Sequence, residues 1–581
     1  MLPRWRMVSI LVALALGLGA IVWRLADVQG LSNRRYAAMG RSQRMASLVL
    51  PAQRGSILDR NGSELAMSLQ AKTVWADPRL VTDVPVASEA LASVLGIDRE
   101  VLARRLSVDA KFSYLARKVD DSVAARVAQL ELPGVFLMEE PRRFFPAATL
   151  AAPVLGTVGV DEQGLSGLEL QYQQDLTGTV GQLLEERDPA GREIPAGMRE
   201  FRPPTEGRQL LLTIDRAMQY ETERVLAAQI VASRAKGGIA VVMDPTKGDI
   251  LAMANLIADP RGPRPSADNM AVTRVYEPGS VNKVVTIAGA IEEGVVDLTS
   301  RMNVPDTLKV ADAVFRDAEE HSPGWWTVGE VLAESSNVGT IMVGQRLGKQ
   351  RIDRYLRAFG LASRTALGFP GESGGLLPHP DRWTGTSIAT VPIGQGVAVT
   401  ALQMLGAYNA IANGGTHVEP RLVRSVVGRA GDARTVPQPP PRRVVSESTA
   451  AAVNGMLVEA VREGTGTAAA IDGYTVAGKT GTARKPRSGG LGYMEGAYLA
   501  SFVGFVPAEA PRLSAIVVLD EPTPYFGGLV SAPVFASLAR YGVRRFQIPP
   551  GSVPATVRSV VAPAATVPST PSPRVRETRA T

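Results

Sequence analysis

A proline–glycine turn followed by a buried helix constrains this chain more than any other feature. The sequence at 277–283 is E-P-G-S-V-N-K, and the apolar run V-V-T-I-A-G-A-I follows at 284–291. Pro278 and Gly279 favour a turn, and the pattern predicts a buried helix that begins at Ser280. Ser280 and Lys283 would lie one turn apart on the same face of that helix, so an amine would sit beside a hydroxyl.

The chemistry of this pair depends on its surroundings. A serine hydroxyl is a poor nucleophile unless a neighbour takes its proton. A lysine can do so only where burial or nearby positive charge lowers its pKa from about 10.4. The helix N-terminus contributes positive potential and favours an oxyanion at Ser280. Taken alone, S-x-x-K is a common pattern, and a capping serine with a surface lysine is the simpler interpretation.

Two further motifs strengthen the functional interpretation. Ser335-Ser336-Asn337 follows the amphipathic stretch 328–334, and Lys479-Thr480-Gly481-Thr482 follows 474–477, which the sequence predicts as a strand. S-x-x-K, S-x-N and K-T-G in this order are the signature of penicillin-binding proteins and serine β-lactamases. Each motif has the local context that it needs, namely a helix start, a loop between helices and a strand.

Composition excludes several other classes of function. The 63 basic and 56 acidic residues give a net charge of +7, but no basic run carries interleaved aromatic residues, so nucleic acid is not an expected partner. The chain has no cysteine, and its three histidines, His321, His379 and His417, are far apart in the sequence. We therefore predict neither a metal site nor a cofactor.

The N-terminus predicts a membrane anchor. Arg4 and Arg6 precede an apolar stretch at 7–23, which Arg24 closes. Its length suits a short membrane span or a long signal-peptide core. Ala13-Leu14-Ala15 could imitate a cleavage site, but it lies inside the apolar run, so we predict an uncleaved span. Arginines also follow the span, and the charge distribution does not decide its orientation.

The 581 residues suggest two to four domains. We predict a short tail and anchor at 1–31, a non-catalytic module at 32–205, a catalytic domain at 206–548 and a disordered Pro/Ala/Thr-rich tail at 549–581. The boundary lies at the loop P-P-T-E-G, 203–207. In the module, Glu139, Glu140, Arg142 and Arg143 are interpreted as a solvated face or an interdomain contact.

The catalytic region alternates apolar strands with helices. Asp215 is predicted to cap a helix that runs to about residue 235, and 400–412 is a second helix. An antiparallel sheet of about five strands is expected from the segments at 238–243, 249–254, 474–483, 501–506 and 513–519. The predicted fold class is α/β (α+β), with this sheet flanked by helices and an N-terminal α+β module.

From about residue 50 to 545 the chain resembles the class B penicillin-binding proteins, and among them the cell-division (septal) type. The stretches that carry the resemblance are R-G-S-I-L-D-R-N-G at 54–62, V-W-A-D-P at 74–78, E-P-G-S-V-N-K at 277–283, S-S-N-V-G at 335–339, G-Q-G-V-A-V-T-A-L-Q at 394–403, K-T-G-T-A at 479–483 and G-G-L-V-S-A-P-V-F at 527–535. One departure from the wider S-D-N pattern is Ser336, which the division-type enzymes tolerate.

The resemblance implies a transpeptidase domain of the penicillin-binding protein/serine β-lactamase type and a role for each motif residue. Ser280 would attack the penultimate D-Ala carbonyl of a peptidoglycan stem peptide, and Lys283 would take its proton. Ser335 and Asn337 would connect Lys283 to the leaving group and hold the substrate amide. Lys479 would add positive charge that helps to keep Lys283 neutral.

The K-T-G segment would bind the substrate. Thr480 and Thr482 lie two residues apart on a strand, so their hydroxyls point the same way and can bind the substrate carboxylate. Gly481 would let an extended peptide approach the strand edge. The backbone N–H groups of Ser280 and Thr482 would form the oxyanion hole.

The resemblance also implies partners and a location. Stem peptides and β-lactams are the expected ligands, and a polytopic glycosyltransferase and other cell-division (divisome) proteins are the expected protein partners. The chain would cross the cell membrane once at the division site, with the N-terminus cytoplasmic and the catalytic domain extracytoplasmic.

Several alternatives share parts of this pattern. A class A β-lactamase would need E-x-x-L-N, and a bifunctional glycosyltransferase would need E-D-x-x-F; neither sequence occurs. An elongation-type class B enzyme is the nearest alternative. A non-catalytic β-lactam sensor and a divisome scaffold are the others, and the intact motifs favour an enzyme over both.

Overall fold

The N-terminal segment forms one long apolar helix. In this computed structural model, which describes residues 4–31, 44–187, 194–195, 197–428, 431–487, 489 and 492–551, helix α1 spans Arg4–Ala26 and a π-helical turn follows at Asp27–Leu31. The helical stretch Trp5–Gly30 contains an 18-residue window with a mean hydropathy of 2.2 and is long and apolar enough to cross a membrane. It extends beyond the predicted span at both ends. Most of the predicted disordered tail, 552–581, lies outside the described residues.

The region up to residue 205 is built from short helices and twisted sheets. Its strands are β1 (Met45–Leu50), β2 (Ile57–Leu58), β3 (Glu64–Ala76), β4 (Ser113–Val119), β5 (Val135–Phe144), β6 (Gly181–Glu186) and β7 (Arg199–Arg202). Its helices are α2 (Val84–Leu95), α3 (Arg99–Leu106), α4 (Asp121–Ala128), α5 (Ala152–Leu155), α6 (Gly167–Gln171) and α7 (Gln173–Leu176). Strand β4 separates helix α3 from helix α4.

Buried carboxylates of this module pair with arginine side chains. Glu169 is fully buried and accepts from Arg54 Nε at 2.5 Å and from Arg143 Nε at 2.7 Å. Glu140 is also buried and pairs with Arg117. The interpretation of 139–143 as a solvated face or interdomain contact is thus wrong for Glu140 and Arg143, because their charged groups pair inside the module rather than with water.

The remaining elements follow β7 in the chain. The strands are β8 (Gln209–Leu212), β9 (Gly237–Met243), β10 (Ile250–Ile257), β11 (Arg264–Pro265), β12 (Arg301–Val304), β13 (Thr307–Val310), β14 (Ala313–Arg316), β15 (Gly324–Thr327), β16 (Thr416–His417), β17 (Val423–Val427), β18 (Ala433–Thr435), β19 (Arg442–Arg443), β20 (Ala477–Pro486), β21 (Tyr493–Val506) and β22 (Leu513–Asp520). The helices are α8 (Arg216–Ala232), α9 (Met270–Thr273), α10 (Lys283–Glu292), α11 (Val328–Ala333), α12 (Asn337–Leu347), α13 (Lys349–Ala358), α14 (Ser387–Thr390), α15 (Ala401–Ala412), α16 (Glu447–Arg462), α17 (Gly527–Val530) and α18 (Ala532–Arg545).

The central sheet has the order β11-β10-β9-β22-β21-β20, and every pairing in it is antiparallel. The five predicted strands are all present, and the two-residue strand β11 is a sixth that the sequence did not predict. The K-T-G strand begins at Ala477 rather than at residue 474, and it lies at the edge of the sheet.

Alternate residues of the central sheet face two different cores, as the two-residue period of a strand requires. In β9, Val241 packs with α10 and α15, whereas Val242 packs with α8 and α18. Both valines are fully buried. Helix α8 begins as predicted, because the Asp215 carboxylate accepts from the N–H groups of Ala217 and Met218.

A second, mixed sheet joins the two halves of the chain. Strand β8 pairs in parallel with β2 and antiparallel with β17, and the order of the sheet is β18-β17-β8-β2-β3-β4, with β5 also paired to β3. This sheet therefore continues across the predicted domain boundary at 205/206. The boundary itself stays a prediction.

Candidate active site

Ser280 lies in a tight turn at the entrance to helix α10. The residues Gly279–Asn282 form a 3₁₀ turn, and the α-helix begins at Lys283 rather than at Ser280 as predicted. The Tyr408 hydroxyl donates to Val281 O at 3.0 Å, and Asn282 Nδ2 donates to Val391 O at 3.0 Å. These bonds fix the turn from beneath. Ser280 is half-buried, and no hydrogen-bond partner of its hydroxyl occurs among the described residues.

Two glycines allow the turn to pack against its neighbours. Gly279 has φ +58° and donates its N–H to Gly394 O at 3.0 Å. Gly394 has φ +78°, and a Cβ at this position would lie 2.2 Å from Gly279 O. A side chain at position 394 would therefore displace the backbone that carries Ser280.

Lys283 connects the first motif to the second. Its side chain is fully buried, and Nζ donates to Asn337 Oδ1 at 2.8 Å and to Ser335 Oγ at 3.3 Å. It also donates to the Ser335 carbonyl. Ser335 occupies the left-handed region with φ +60°, a conformation that is uncommon for a residue other than glycine. This conformation turns both Ser335 oxygens towards the amine.

The third motif lies along the edge strand beside the Ser280 turn. Lys479 is fully buried, and its Nζ contacts Thr480 Oγ1 at 3.3 Å and Thr465 Oγ1 at 3.2 Å. Thr482 Oγ1 accepts from Gly527 N at 3.2 Å. Strand β20 pairs only with β21 among the described strands, so its outer edge is free of strand partners on the side of the turn.

Gly481 has a packing reason for being glycine in addition to the predicted one. A Cβ at position 481 would lie 2.4 Å from Ser501 Oγ on the neighbouring strand β21 and 3.1 Å from Val281 Cγ1 in the Ser280 turn. The strand therefore lies directly against the turn, and the K-T-G motif and the S-x-x-K motif form one site.

Burial and charge both act on the two lysines of this site. Burial, followed by repulsion from Lys479, holds the pKa of Lys283 well below its ordinary value of 10.5, and Asp317 opposes this effect. Burial lowers the pKa of Lys479 to about 7, against an opposing attraction from Glu334. A buried amine whose pKa is lowered in this way is suited to accept a proton from a hydroxyl.

Three residues of the site were missed by the sequence interpretation. Thr465 contacts both Lys479 and Thr480, Glu277 accepts from the Tyr493 hydroxyl at 2.9 Å, and Asp317 accepts from the Ser336 hydroxyl at 2.7 Å. Glu277 is the first residue of the motif E-P-G-S-V-N-K, and a carboxylate three residues before Ser280 is a signal that could have identified it as a site residue. Thr465 and Asp317 carry no local signal, because only the folded chain brings them to the site.

The fold and the three converging motifs define a site of the type shared by penicillin-binding proteins and serine β-lactamases. The sequence matches the penicillin-binding protein transpeptidase domain over residues 238–540 and the penicillin-binding protein dimerisation domain over residues 49–212. The chain belongs to the class B penicillin-binding proteins, and within them to the cell-division type.

Individual relatives agree with this assignment. Penicillin-binding protein PbpB of Mycolicibacterium smegmatis is 34% identical over 552 residues, spanning 87% of this chain and 85% of the relative. Peptidoglycan D,D-transpeptidase FtsI of Escherichia coli is 33% identical over 568 residues, spanning 94% and 93%. The crystal structure of penicillin-binding protein 3 of Mycobacterium tuberculosis with aztreonam aligns with a TM-score of 0.68 and 32% identity, spanning 87% of this chain and 98% of that one.

Proposed function

We infer that this protein is a septal peptidoglycan D,D-transpeptidase and a target of β-lactams. Relatives over most of the chain are named peptidoglycan D,D-transpeptidases, and a similar structure holds the β-lactam aztreonam. The observation that carries the proposal is the buried Lys283, which begins α10 three residues after Ser280 and whose amine bonds to both Ser335 and Asn337. A scaffold would not require a buried amine whose pKa is held well below its ordinary value.

We propose that Ser280 Oγ attacks the penultimate D-Ala carbonyl carbon while Lys283 Nζ takes the hydroxyl proton. The new C–O bond forms, the peptide C–N bond breaks, and the proton reaches the departing D-Ala amine through Ser335. The acceptor amine of a second stem peptide then attacks the ester and regenerates Ser280. The contacts of Lys283 Nζ with Ser335 Oγ and Asn337 Oδ1 support this relay.

Substrate binding is proposed for the free edge of β20. An extended peptide can add to this edge, with its carboxylate held by Thr480 and Thr482 and by the positive charge of Lys479. The N–H groups of Ser280 and Thr482 form the proposed oxyanion hole, in which each donor typically contributes about 3 kcal/mol. Gly481 supports this arrangement by keeping the strand against the Ser280 turn.

The proposed topology is a single membrane span by α1, with a cytoplasmic N-terminus and an extracytoplasmic remainder. The proposed domains are an anchor at 1–31, a module at 32–205, a catalytic domain at 206–548 and a tail at 549–581. We propose that the module binds a polytopic glycosyltransferase and other divisome proteins.

The length and apolar character of helix α1 support the proposed anchor. N-terminal sequencing of the membrane-bound protein should start at or near Met1; a start between residues 20 and 35 would identify a cleaved signal peptide instead.

The proposed function is tested by labelling the purified protein with fluorescent penicillin. We expect mass spectrometry to place one adduct on the peptide that contains Ser280, and we expect Ser280→Ala to abolish labelling. Ser107→Ala, at an exposed position of the module, is the matched control and should label normally. An adduct at another residue, or labelling that survives Ser280→Ala, would contradict the proposal.

In cells, the label should concentrate at septa, whereas an elongation-type enzyme would label the side wall.

A further inference from the structure

The loop that carries Ser335 and Asn337 is held by a residue from outside the three motifs. Asp317 follows strand β14, at the base of the β13–β14 hairpin, and its side chain is 7% exposed. Its carboxylate accepts from the Ser336 hydroxyl at 2.7 Å, from Val338 N at 2.9 Å and from Asn337 N. These three groups belong to the first turn of α12, where N–H groups have no acceptor within the helix.

Two neighbours of Asp317 extend this network, and one of them connects the same loop to the hairpin. His321 Nε2 lies 3.0 Å from Asp317 Oδ2, and His321 Nδ1 lies 3.0 Å from Ser322 O. Arg316 O accepts from Asn337 Nδ2 at 2.9 Å, which leaves Asn337 Oδ1 directed at Lys283 Nζ. Both ends of the Asn337 amide are therefore occupied, one by the hairpin and the other by the lysine.

We propose that Asp317 is a positioning residue for the acylation reaction and that it supplies from the hairpin the carboxylate that an S-D-N motif would carry at position 336. In this chain position 336 is serine, and its hydroxyl points at the Asp317 carboxylate. Ser336 Oγ also accepts from Gly339 N at 2.8 Å, as the N-cap of α12. The serine thus connects the carboxylate to the helix. The inference rests on the proposed roles of Lys283 and Asn337.

A purely electrostatic role does not explain this arrangement. The negative charge of Asp317 raises the pKa of Lys283, whereas a proton acceptor for Ser280 needs that pKa low. The hydrogen bonds of Asp317 instead fix residues 336–338, and Ser335, in its left-handed conformation, directly precedes them. The value of Asp317 to the site is therefore geometric.

Three variants separate geometry from charge. Asp317→Ala removes the hydrogen bonds, and we expect its second-order rate of penicillin acylation to fall by about 10²-fold, as for a displacement of about 1 Å at a reacting group. Asp317→Asn keeps one oxygen for the N–H groups of residues 337 and 338 and offers an amide to Ser336 Oγ, so it should stay within about fivefold of wild type. The double variant Asp317→Ala with Ser336→Asp should recover at least tenfold of the lost rate, because an aspartate at 336 extends into the vacated space and can cap α12 itself.

Asp312→Ala is the matched control, since Asp312 is an exposed aspartate of the same hairpin. It should acylate like wild type. The inference is overturned if folded Asp317→Ala acylates within threefold of wild type, if Asp317→Asn is as slow as Asp317→Ala, or if Ser336→Asp restores nothing. If Asp317→Ala fails to fold, the acylation rates of Asp317→Asn and of the double variant still test whether Asp317 positions the loop. Wild-type labelling at Ser280 tests the proposed function separately, so the two failures are distinguishable.

Discussion

The site depends on a lysine that is buried with hydrogen-bond acceptors and that forms no direct ion pair within the part of the chain that the structure describes. Lys283 donates to Ser335 and Asn337, and the negative charge of Asp317 opposes the lowering of its pKa. Burial without a paired carboxylate favours the neutral amine. Burial of the Lys283 amine costs folding free energy. The same burial lowers its pKa and therefore makes it suitable as a general base.

Replacing Lys283 by arginine tests this role directly. The guanidinium keeps the positive charge and the approximate length but cannot release its proton near neutral pH. We expect the second-order rate of penicillin acylation by Lys283→Arg to fall by roughly 10²–10⁴-fold, the range typical of losing a general base. The rate is measured beside a thermal melt, with the exposed Lys309→Arg as control. A folded variant that acylates within a few-fold of wild type would show that lysine serves only as a fixed charge.

Residues of the site could be predicted from the sequence only where a motif carries them. Ser280, Lys283 and Lys479 stand in short patterns whose spacing reflects a local element. Asp317 and Thr465 act through contacts with residues 336–338 and with Lys479, and nothing in their own neighbourhood indicates this. Their partners are chosen by the tertiary fold.

At the scale of elements, long apolar strands were predictable and short ones were not. Four of the five long strands of the central sheet contain apolar runs, and the fifth, β20, carries the K-T-G motif, so the sequence identifies them without knowledge of their partners. The strand pairs β12–β15 and β13–β14 have strands of only four residues. Polar and apolar residues alternate in β12 and β13, but four residues are the shortest run in which such a pattern can indicate a strand. The missed hairpin β13–β14 precedes Asp317 directly.

The start of the catalytic helix shows a second limit of element-level reasoning. The pattern predicts that the helix begins at Ser280, whereas Ser280 lies in a 3₁₀ turn and α10 begins at Lys283. Helix propensity alone does not determine the residue at which the helix begins. It follows from Gly279 and Gly394, whose backbones approach so closely that the turn tightens before the helix begins.

At the scale of the whole molecule, two buried lysines should make stability depend on pH. Lys479 has a pKa of about 7 in the folded protein and about 10.5 when unfolded. Between these values the unfolded chain binds more protons than the folded chain, so the free energy of unfolding should rise with pH by up to about 1.4 kcal/mol per pH unit from this group. The direction is the same for Lys283.

Lys479→Met tests this dependence. The substitution keeps an unbranched side chain and removes the buried amine, so we expect a higher melting temperature than wild type at pH 7 and a difference that shrinks towards pH 10. Activity should be lost at the same time, because the proposed carboxylate-binding charge is gone. Lys309→Met, at an exposed position, should show no such pH-dependent difference. A stabilisation that is equal at both pH values would mean that packing, and not proton binding, is responsible.

The parallel pairing of β2 with β8 has a consequence for how this protein can be divided or recombined. Leu210 and Leu212 of β8 are fully buried. The strands that follow β8 on one side of the sheet are β2 and β3, which come from residues 57–76. A fragment that begins at 206 would keep β8 and β17 but expose a bare strand edge and these leucines, which invites aggregation. The catalytic part should therefore not be transferred between proteins as a separate fragment. A chimera between relatives should exchange residues 54–76 together with everything that follows residue 206.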